Sequence, residues 1–228
     1  MFVILSEARS GSTTMLGLMN PKSRVLQEPL GRMNLDRKAR LSDFYEIENI
    51  FGPYEGVKLM AHRLHLKDFG EWASKEKAKV IVMFRRNFLR MAVSVMLARR
   101  TQVWSKQFVT EGYYSMQFDP VPLEEIQTAM ERCQKNTKGM RSLARMGNCF
   151  QVYYEDFYLQ RGWEKTLPQI YKFCGFDPTI KPRSRKLAET YRINNNDVYL
   201  NIANVHEIEK EFGSNETGWL LDSSFTTC

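Results

Sequence analysis

The stretch from Phe2 to Thr14 constrains the fold more than any other part of the sequence. It begins with the apolar run Phe2–Leu5, which predicts a buried strand, and it continues to Gly11, where the backbone can turn tightly. The hydroxyl residues 12 to 14 can then cap a helix that ends before Pro21. A strand, a tight turn and a helix start in this order predict an α/β protein with a functional loop at the edge of its sheet.

This loop has the chemistry of an anion site. Backbone N–H groups at a helix start point outwards, the helix dipole favours negative charge, and Arg9 adds a formal positive charge. A nucleotide-hydrolysing P-loop needs G-x-x-x-x-G-K-[ST], but here no lysine follows Gly11 and the basic residue comes first. An ordinary capped turn would explain the glycine and the hydroxyls and leave Arg9 unexplained.

A second junction between a strand and a helix follows the apolar run Lys79–Phe84. Arg86 stands at the predicted strand end, and Ser94 lies about two turns into the following helix. The charge-assisted fork of an arginine and a serine hydroxyl together can hold a terminal phosphate. Because parallel strands bring their carboxyl ends to one edge, we expect Arg9 and Arg86 to approach one ligand with two separated anionic groups.

Strands and helices alternate along the rest of the chain, which predicts right-handed crossovers and a parallel sheet. The expected fold is α/β and P-loop-like, with three layers in which helices flank a central parallel sheet, and with residues 1–228 in a single domain. The predicted further strands and helices lie, in order, at residues 23–30, 56–62, 66–77, 88–96, 123–146, 149–154, 163–174 and 205–212.

Composition narrows the classes of partner. The net charge of +7, from 33 basic and 26 acidic residues, suits an anionic ligand, but no long basic run points to nucleic acid. The four cysteines are widely spaced and predict neither a metal site nor a disulfide framework. The sequence contains no signal segment and no apolar run of membrane-spanning length, so we expect a cytoplasmic protein without a membrane partner.

Three motifs together resemble sulfotransferases that use 3′-phosphoadenosine 5′-phosphosulfate (PAPS). They are Ala8–Thr14, Arg86–Ser94, and Tyr153–Phe157 followed by the helix Trp163–Gly175. The resemblance implies that PAPS is the sulfate donor, that 3′-phosphoadenosine 5′-phosphate (PAP) is the product, and that no metal is required. It assigns the 5′ end of the donor to Arg9, Ser10, Gly11, Ser12, Thr13 and Thr14, the 3′-phosphate to Arg86 and Ser94, and the region of the adenine to Tyr154.

Two residues compete for the role of catalytic base. Glu28-Pro29-Leu30 resembles the Glu-Pro turn of bacterial and Golgi-type carbohydrate sulfotransferases, and Gly56–Leu59 resembles a strand of the bacterial group. Cytosolic aryl and steroid enzymes instead use a histidine near this strand, which makes His62 the rival. We favour Glu28 because its Glu-Pro context matches more closely, and the acceptor is then a carbohydrate or another small metabolite. Either side chain could instead be structural.

The chain departs from the family pattern at several positions. Arg90 stands where the family has an acidic residue, and the glycine-containing segment Gly213–Trp219 lacks a preceding basic pair. The basic residues that could substitute for that pair are Arg183, Arg185 and Lys186. Two other classes stay open: a P-loop kinase of small metabolites, which would need magnesium and ATP, and a non-catalytic module that binds an anion or nucleic acid.

Overall fold

The computed structural model describes residues 1–19, 25–32, 37–51, 54–104, 109–181 and 196–221. Five parallel strands form its one described sheet, in the order β2-β3-β1-β4-β5. The strands are β1 (Phe2–Ser6), β2 (Val25–Gln27), β3 (Gly56–Met60), β4 (Lys79–Phe84) and β5 (Cys149–Tyr153). The predicted α/β class with a central parallel sheet is confirmed.

The chain divides into two compact units. The first comprises Met1–Phe84 and Lys135–Ala188 and holds the whole sheet, and the second comprises Arg85–Gln134 and Glu189–Cys228. The expectation that residues 1–228 form a single domain stays a prediction.

Helices cover both faces of the sheet in the first unit. On one face, Val3, Val57 and Val80 share a core with Phe69 and Trp72 of the helix Leu66–Lys75. On the other face, the Phe2 ring packs edge-on against Phe176, just beyond the end of the helix Trp163–Cys174, at 5.7 Å between centroids. Successive side chains of a strand point to opposite faces of the sheet, so the apolar strands β1 and β4 pack against helices on both faces. The sheet is therefore the middle of three layers.

The helices of the first unit are α1 (Ser12–Leu18), α2 (Pro29–Arg32), α3 (Leu41–Phe51), α4 (Leu66–Lys75), α7 (Tyr154–Tyr158) and α8 (Trp163–Cys174). Short 3-10 turns occupy Ala61–Arg63 and Leu159–Arg161. The helices of the second unit are α5 (Phe88–Thr101), α9 (Asn196–Leu200) and α10 (Val205–Phe212), with a 3-10 turn at Tyr113–Ser115. Helix α6 (Leu123–Leu143) begins in the second unit and ends in the first.

The second unit has its own apolar core. Leu89, Val93 and Leu97 of α5 pack with Ile126 of α6 and Ile208 of α10, and all five side chains are fully buried. The spacing of the three α5 residues follows one helical face, as the sequence pattern indicates.

Predicted and observed elements differ mainly at their ends. Strand β3 stops at Met60, so His62 lies on the following 3-10 turn rather than on the strand. Strand β5 stops at Tyr153, and Tyr154 begins the short helix α7, which the sequence reading did not predict. Helix α8 ends as predicted, with Gly175 at a left-handed φ of 84°.

None of the helices in the described part of the chain combines the length and the apolar character that crossing a bilayer requires.

Candidate functional site

The loop after β1 makes two left-handed turns. Arg9 has φ 63° and Gly11 has φ 83°, and the Ser10 hydroxyl between them donates to the backbone carbonyl of Glu7 over 2.7 Å. A left-handed conformation strains any residue with a Cβ, so the loop stores strain at Arg9 and relieves it with glycine at position 11. The result is a tight backbone turn that places Arg9 and the residues after it at the carboxyl end of β1, the middle strand of the sheet.

Two tyrosine rings pack against this turn at Gly11. A Cβ added at Gly11 would lie 2.7 Å from ring carbons of both Tyr154 and Tyr158. The Tyr158 hydroxyl donates to the Gly11 carbonyl oxygen over 2.6 Å, and burial raises the pKa of Tyr158 well above its ordinary value. The structure therefore brings Tyr154 to the loop, where its ring contacts the backbone turn, and its assignment to the region of the adenine stays a prediction.

The hydroxyls of residues 12 to 14 do not cap the helix, so that prediction is wrong. The N-cap residue of α1 is Gly11, which has no side chain to offer. The hydroxyl residues form the first turn of α1 and take other roles: Ser12 Oγ accepts from Ser6 Oγ over 2.8 Å, and Thr13 Oγ1 accepts from Lys58 Nζ over 2.8 Å. Thr14 is buried.

Lys58 brings a buried positive charge to the loop. It lies in the middle of β3 opposite Ile4 of β1, and only 3% of the residue is exposed. Its ammonium group donates to Thr13 and, over 2.6 Å, to Glu28 Oε1. An ammonium group has three donors, and the partners found among the described residues leave one of them for a ligand at the loop.

Glu28 lies just past the end of β2, where the sequence predicts a turn. Its backbone has a left-handed φ of 48°, its N–H bonds the Lys58 carbonyl at 2.9 Å, and Pro29 begins the next helix. The carboxylate is about half exposed, at 49%, and is ion-paired with the buried Lys58. The structure thus joins Glu28 to the loop through one lysine.

His62 lies beside the same loop. Its Nδ1 atom is 3.8 Å from Oε2 of Glu7, whose side chain is only 5% exposed, whereas the His62 side chain is 39% exposed. The other carboxylate oxygen of Glu7, Oε1, is buried and has no hydrogen-bond partner among the described residues. Both candidate bases therefore belong to the first unit: Glu28 is ion-paired with Lys58 in the middle of β3, and His62 lies near Glu7, which follows β1.

Arg86 and Ser94 belong to the second unit. Arg86 is exposed just before α5, and Ser94 is buried on that helix with 3% exposure. The Asn87 side chain caps α5 by accepting from the N–H of Arg90 over 2.8 Å. Their assignment to the 3′-phosphate, and the approach of Arg9 and Arg86 to one ligand, stay predictions from the sequence.

Arg90 has a clear structural role at the position where the family has an acidic residue. Its guanidinium donates to the carbonyls of Leu220 at 2.9 Å and Trp219 at 3.3 Å and to the Asn196 side chain, and it lies over the Tyr199 ring. The segment Gly213–Trp219 is thus fastened to α5 within the second unit. The alternative basic residues Arg183, Arg185 and Lys186 lie outside the described residues.

Sequence reasoning missed three residues of this site. Lys58 carries the one charge in the strand Gly56–Met60, and a lysine inside an otherwise apolar core strand was the signal. Glu7 directly follows β1, and a carboxylate at the end of a strand that the sequence predicts to be buried was a second signal. Nothing in the sequence marked Tyr158, because its partner Gly11 is 147 residues away.

Among the described residues, no three His, Cys, Asp or Glu side chains lie close enough together to hold a metal ion. The metal-free reaction stays a prediction from the resemblance.

Comparisons with known proteins leave the family open. No protein-family model matches the chain, and no curated protein matches its sequence. Among solved structures, a sulfotransferase from Alicyclobacillus acidocaldarius is similar with a TM-score of 0.47 and 13% identity, over 82% of this chain and 87% of that one. The mouse sulfotransferase SULT7A1 complexed with PAP has a TM-score of 0.41 and 15% identity, over 100% of this chain and 72% of that one. Similarity at this level identifies neither family nor function, which must be argued from the residues.

Proposed function

We propose that this chain transfers a sulfuryl group from PAPS to a hydroxyl or amine of an acceptor. The acceptor class we propose is a carbohydrate or another small metabolite, on the resemblance of Glu28-Pro29 to the carbohydrate enzymes. The observation that carries the proposal is the loop after β1, where Lys58 Nζ lies 2.8 Å from Thr13 Oγ1 and leaves one N–H donor for an anion.

The residues of the loop fit the 5′ end of such a donor. Gly11 is held so closely by two tyrosine rings that a side chain there would overlap them, so the backbone itself forms the surface offered to a ligand. The hydroxyls of Ser12 and Thr13 and the ammonium group of Lys58 supply polar donors at the same place. This donor set is suited to phosphate or sulfate oxygens, which accept hydrogen bonds and carry negative charge.

The chemistry asks little of the protein beyond position and charge. In an in-line transfer, negative charge builds on the leaving phosphate oxygen, and fixed cations stabilise that charge without reorganising. In this proposal Arg9 and Lys58 supply the positive charge, and Glu28 or His62 accepts the acceptor's proton. Arg86 and Ser94 keep the role that the sequence predicts for them, in holding the 3′-phosphate.

Lys58 also supports phosphoryl transfer from ATP as a second candidate function. A P-loop kinase has a lysine directly after the loop glycine, and this chain has none after Gly11. Lys58 of the neighbouring strand β3 nevertheless brings a lysine to the loop. The two functions differ in the nucleotide they need, because a kinase requires ATP with magnesium whereas the sulfotransferase binds PAP without a metal.

Calorimetric titration of the full chain with PAP, and separately with ATP plus magnesium, tests the proposal. We expect PAP to bind without magnesium and ATP to bind more weakly. Lys58→Met keeps the length of the side chain and removes its charge, and we expect it to weaken PAP binding by about ten- to a hundredfold, the value of one hydrogen bond to a charged group.

The matched control is Lys67→Met, which removes an exposed lysine of α4 in the same unit and should leave PAP binding unchanged. Binding of ATP with magnesium in preference to PAP would replace the sulfotransferase by the kinase. Binding of neither nucleotide would remove both functions.

A further inference from the structure

The carboxylate of Glu7 is unexpected where it lies. It directly follows β1 and opens the loop that we propose binds a phosphate, yet a carboxylate there repels an anion. The residue is 4% exposed, so solvent does little to screen its charge. Buried charged groups are normally paired and fully hydrogen-bonded, so an exception calls for an explanation.

The Glu7 carboxylate makes no hydrogen bond within the described residues that would give it a structural role. Oε1 has no hydrogen-bond partner among the described residues, and Oε2 faces His62 Nδ1 at 3.8 Å. That distance is longer than a hydrogen bond, but catalytic hydrogen bonds are commonly long before substrate binds and shorten in the complex. The charge contact found for this carboxylate among the described residues is thus with His62 Nδ1, a ring nitrogen of a candidate base.

We propose that Glu7 is a positioning residue that accepts a hydrogen bond from His62 Nδ1–H and so presents Nε2 as the base of the transfer. The two nitrogens of a neutral imidazole cannot both accept a proton, and the partner of one decides the role of the other. With Nδ1–H directed at Glu7, the lone pair of Nε2 is free on the far side of the ring, and the exposed part of His62 can meet an acceptor.

This inference rests on the proposed function. The acceptor O–H proton moves to Nε2, and its electron pair forms the new bond from oxygen to sulfur. The bond from sulfur to the bridging oxygen of the donor breaks, and its pair leaves with the 5′-phosphate. His62 becomes a cation 3.8 Å from the Glu7 carboxylate, which stabilises charge that exists only once the proton has moved. The proton then passes from exposed His62 to solvent.

The same geometry explains why a repulsive carboxylate is tolerated beside the donor loop. The carboxylate of Glu7 repels the phosphate of the bound donor, but it attracts the imidazolium of His62, which forms only in the transition state. Glu7 and Lys58 should therefore have opposite effects on ligand binding. Removing the lysine charge weakens PAP binding, whereas removing the glutamate charge strengthens it.

Nitrogen-15 NMR of histidine-labelled full chain tests the proposal without any donor. The sequence has three histidines, and His65 is an internal reference because its Nδ1 lies 2.6 Å from Asp68 Oδ1. In the neutral form of the imidazoles, we expect both His62 and His65 to carry the proton on Nδ1. In Glu7→Gln the amide can donate to Nδ1, so we expect His62 to shift towards the Nε2–H form while His65 does not change.

Three comparisons complete the experiment. Glu71→Gln, on the exposed face of α4, is the matched control and should leave both histidines as they are. Glu7→Asp keeps the charge but withdraws it by one methylene, so we expect a partial shift even if Glu7→Gln folds poorly. His62→Asn assigns the His62 signals.

Titration with PAP gives the second readout. We expect Glu7→Gln to bind PAP about three- to tenfold more tightly than the unchanged chain, because a like charge next to the phosphate has been removed. An Nε2–H form of His62 in the unchanged chain, or one tautomer in all variants, would overturn the proposal. Weaker PAP binding by Glu7→Gln would do the same, since it would assign the carboxylate to support of the loop. If no variant binds PAP, the proposed function fails, while the tautomers still decide the role of Glu7.

Discussion

Replacing single glycines by alanine separates two contributions to the stability of the donor loop. Gly11→Ala forces a side chain into a left-handed φ of 83° and places its Cβ 2.7 Å from two tyrosine rings. The backbone contribution is about 1–2 kcal/mol, and overpacking against buried rings adds about 1–3 kcal/mol. We therefore expect the free energy of unfolding to fall by about 2–5 kcal/mol, a large share of the stability of an ordinary domain.

Two other glycines of the same unit provide the controls. Gly175 has φ 84° but open space around its Cβ, so Gly175→Ala should cost only the backbone contribution of about 1–2 kcal/mol. Gly147 has neither the positive φ nor a neighbour within 4 Å, so Gly147→Ala should lie within about 0.5 kcal/mol of the unchanged chain.

Urea denaturation followed by tyrosine and tryptophan fluorescence measures all three variants. Equal losses for Gly11→Ala and Gly175→Ala would refute the reasoning, because they would show that Tyr154 and Tyr158 do not confine the loop. We also expect Gly11→Ala to lose PAP binding at urea concentrations where it remains folded, which the other two variants should not do.

Two further predictions concern polar contacts away from the loop. Arg90→Met leaves the Leu220 carbonyl without its donor among the described residues, while the Trp219 carbonyl keeps the bond from Asn87 Nδ2; the change should cost about 3 kcal/mol in urea denaturation, with earlier proteolytic release of the C-terminal segment, and unchanged stability and cleavage would contradict the role of Arg90. The Arg37 guanidinium donates to Asp43 and holds the pKa of that carboxyl below its usual value, so its stabilising effect is present above the unfolded pKa of about 3.9 and is lost as pH falls through the lower folded pKa. Asp43→Asn should therefore have a lower urea midpoint than the unchanged chain near pH 7, with a gap that narrows in acid; a gap independent of pH would rule out the ion pair as its cause.

Periodicity predicted most of the fold because long apolar runs leave few alternatives. The strand Lys79–Phe84 is apolar after its first residue and was predicted at its observed bounds, and the helix Trp163–Cys174 ended at Gly175 as predicted. Short elements were missed, since five residues such as Tyr154–Tyr158 carry too little pattern to distinguish a helix turn from a strand end. Tertiary packing of Tyr158 on Gly11 decides that case.

The site was predictable where chemistry follows a local motif and unpredictable where it depends on contacts between strands. Arg9, Gly11 and the hydroxyls were found because they are consecutive. Lys58 links Glu28 to Thr13 because its side chain, on β3, reaches both the residue after β2 and the first turn of α1. This arrangement depends on the parallel register of β2 and β3, which the sequence does not reveal. Sequence spacing could not have assigned Lys58 to the loop, although its charge within an apolar strand was visible.

The bond from Tyr158 to Gly11 has a consequence for synthesis on the ribosome. Its two residues are 147 positions apart, so the loop is translated long before the rings that confine it leave the exit tunnel. Until then the left-handed turns at Arg9 and Gly11 have no tyrosine neighbours to stabilise them. A nascent chain released before residue 158 should therefore retain β1 and lack a formed loop, and competence to bind an anion should appear only when the last part of the first unit docks.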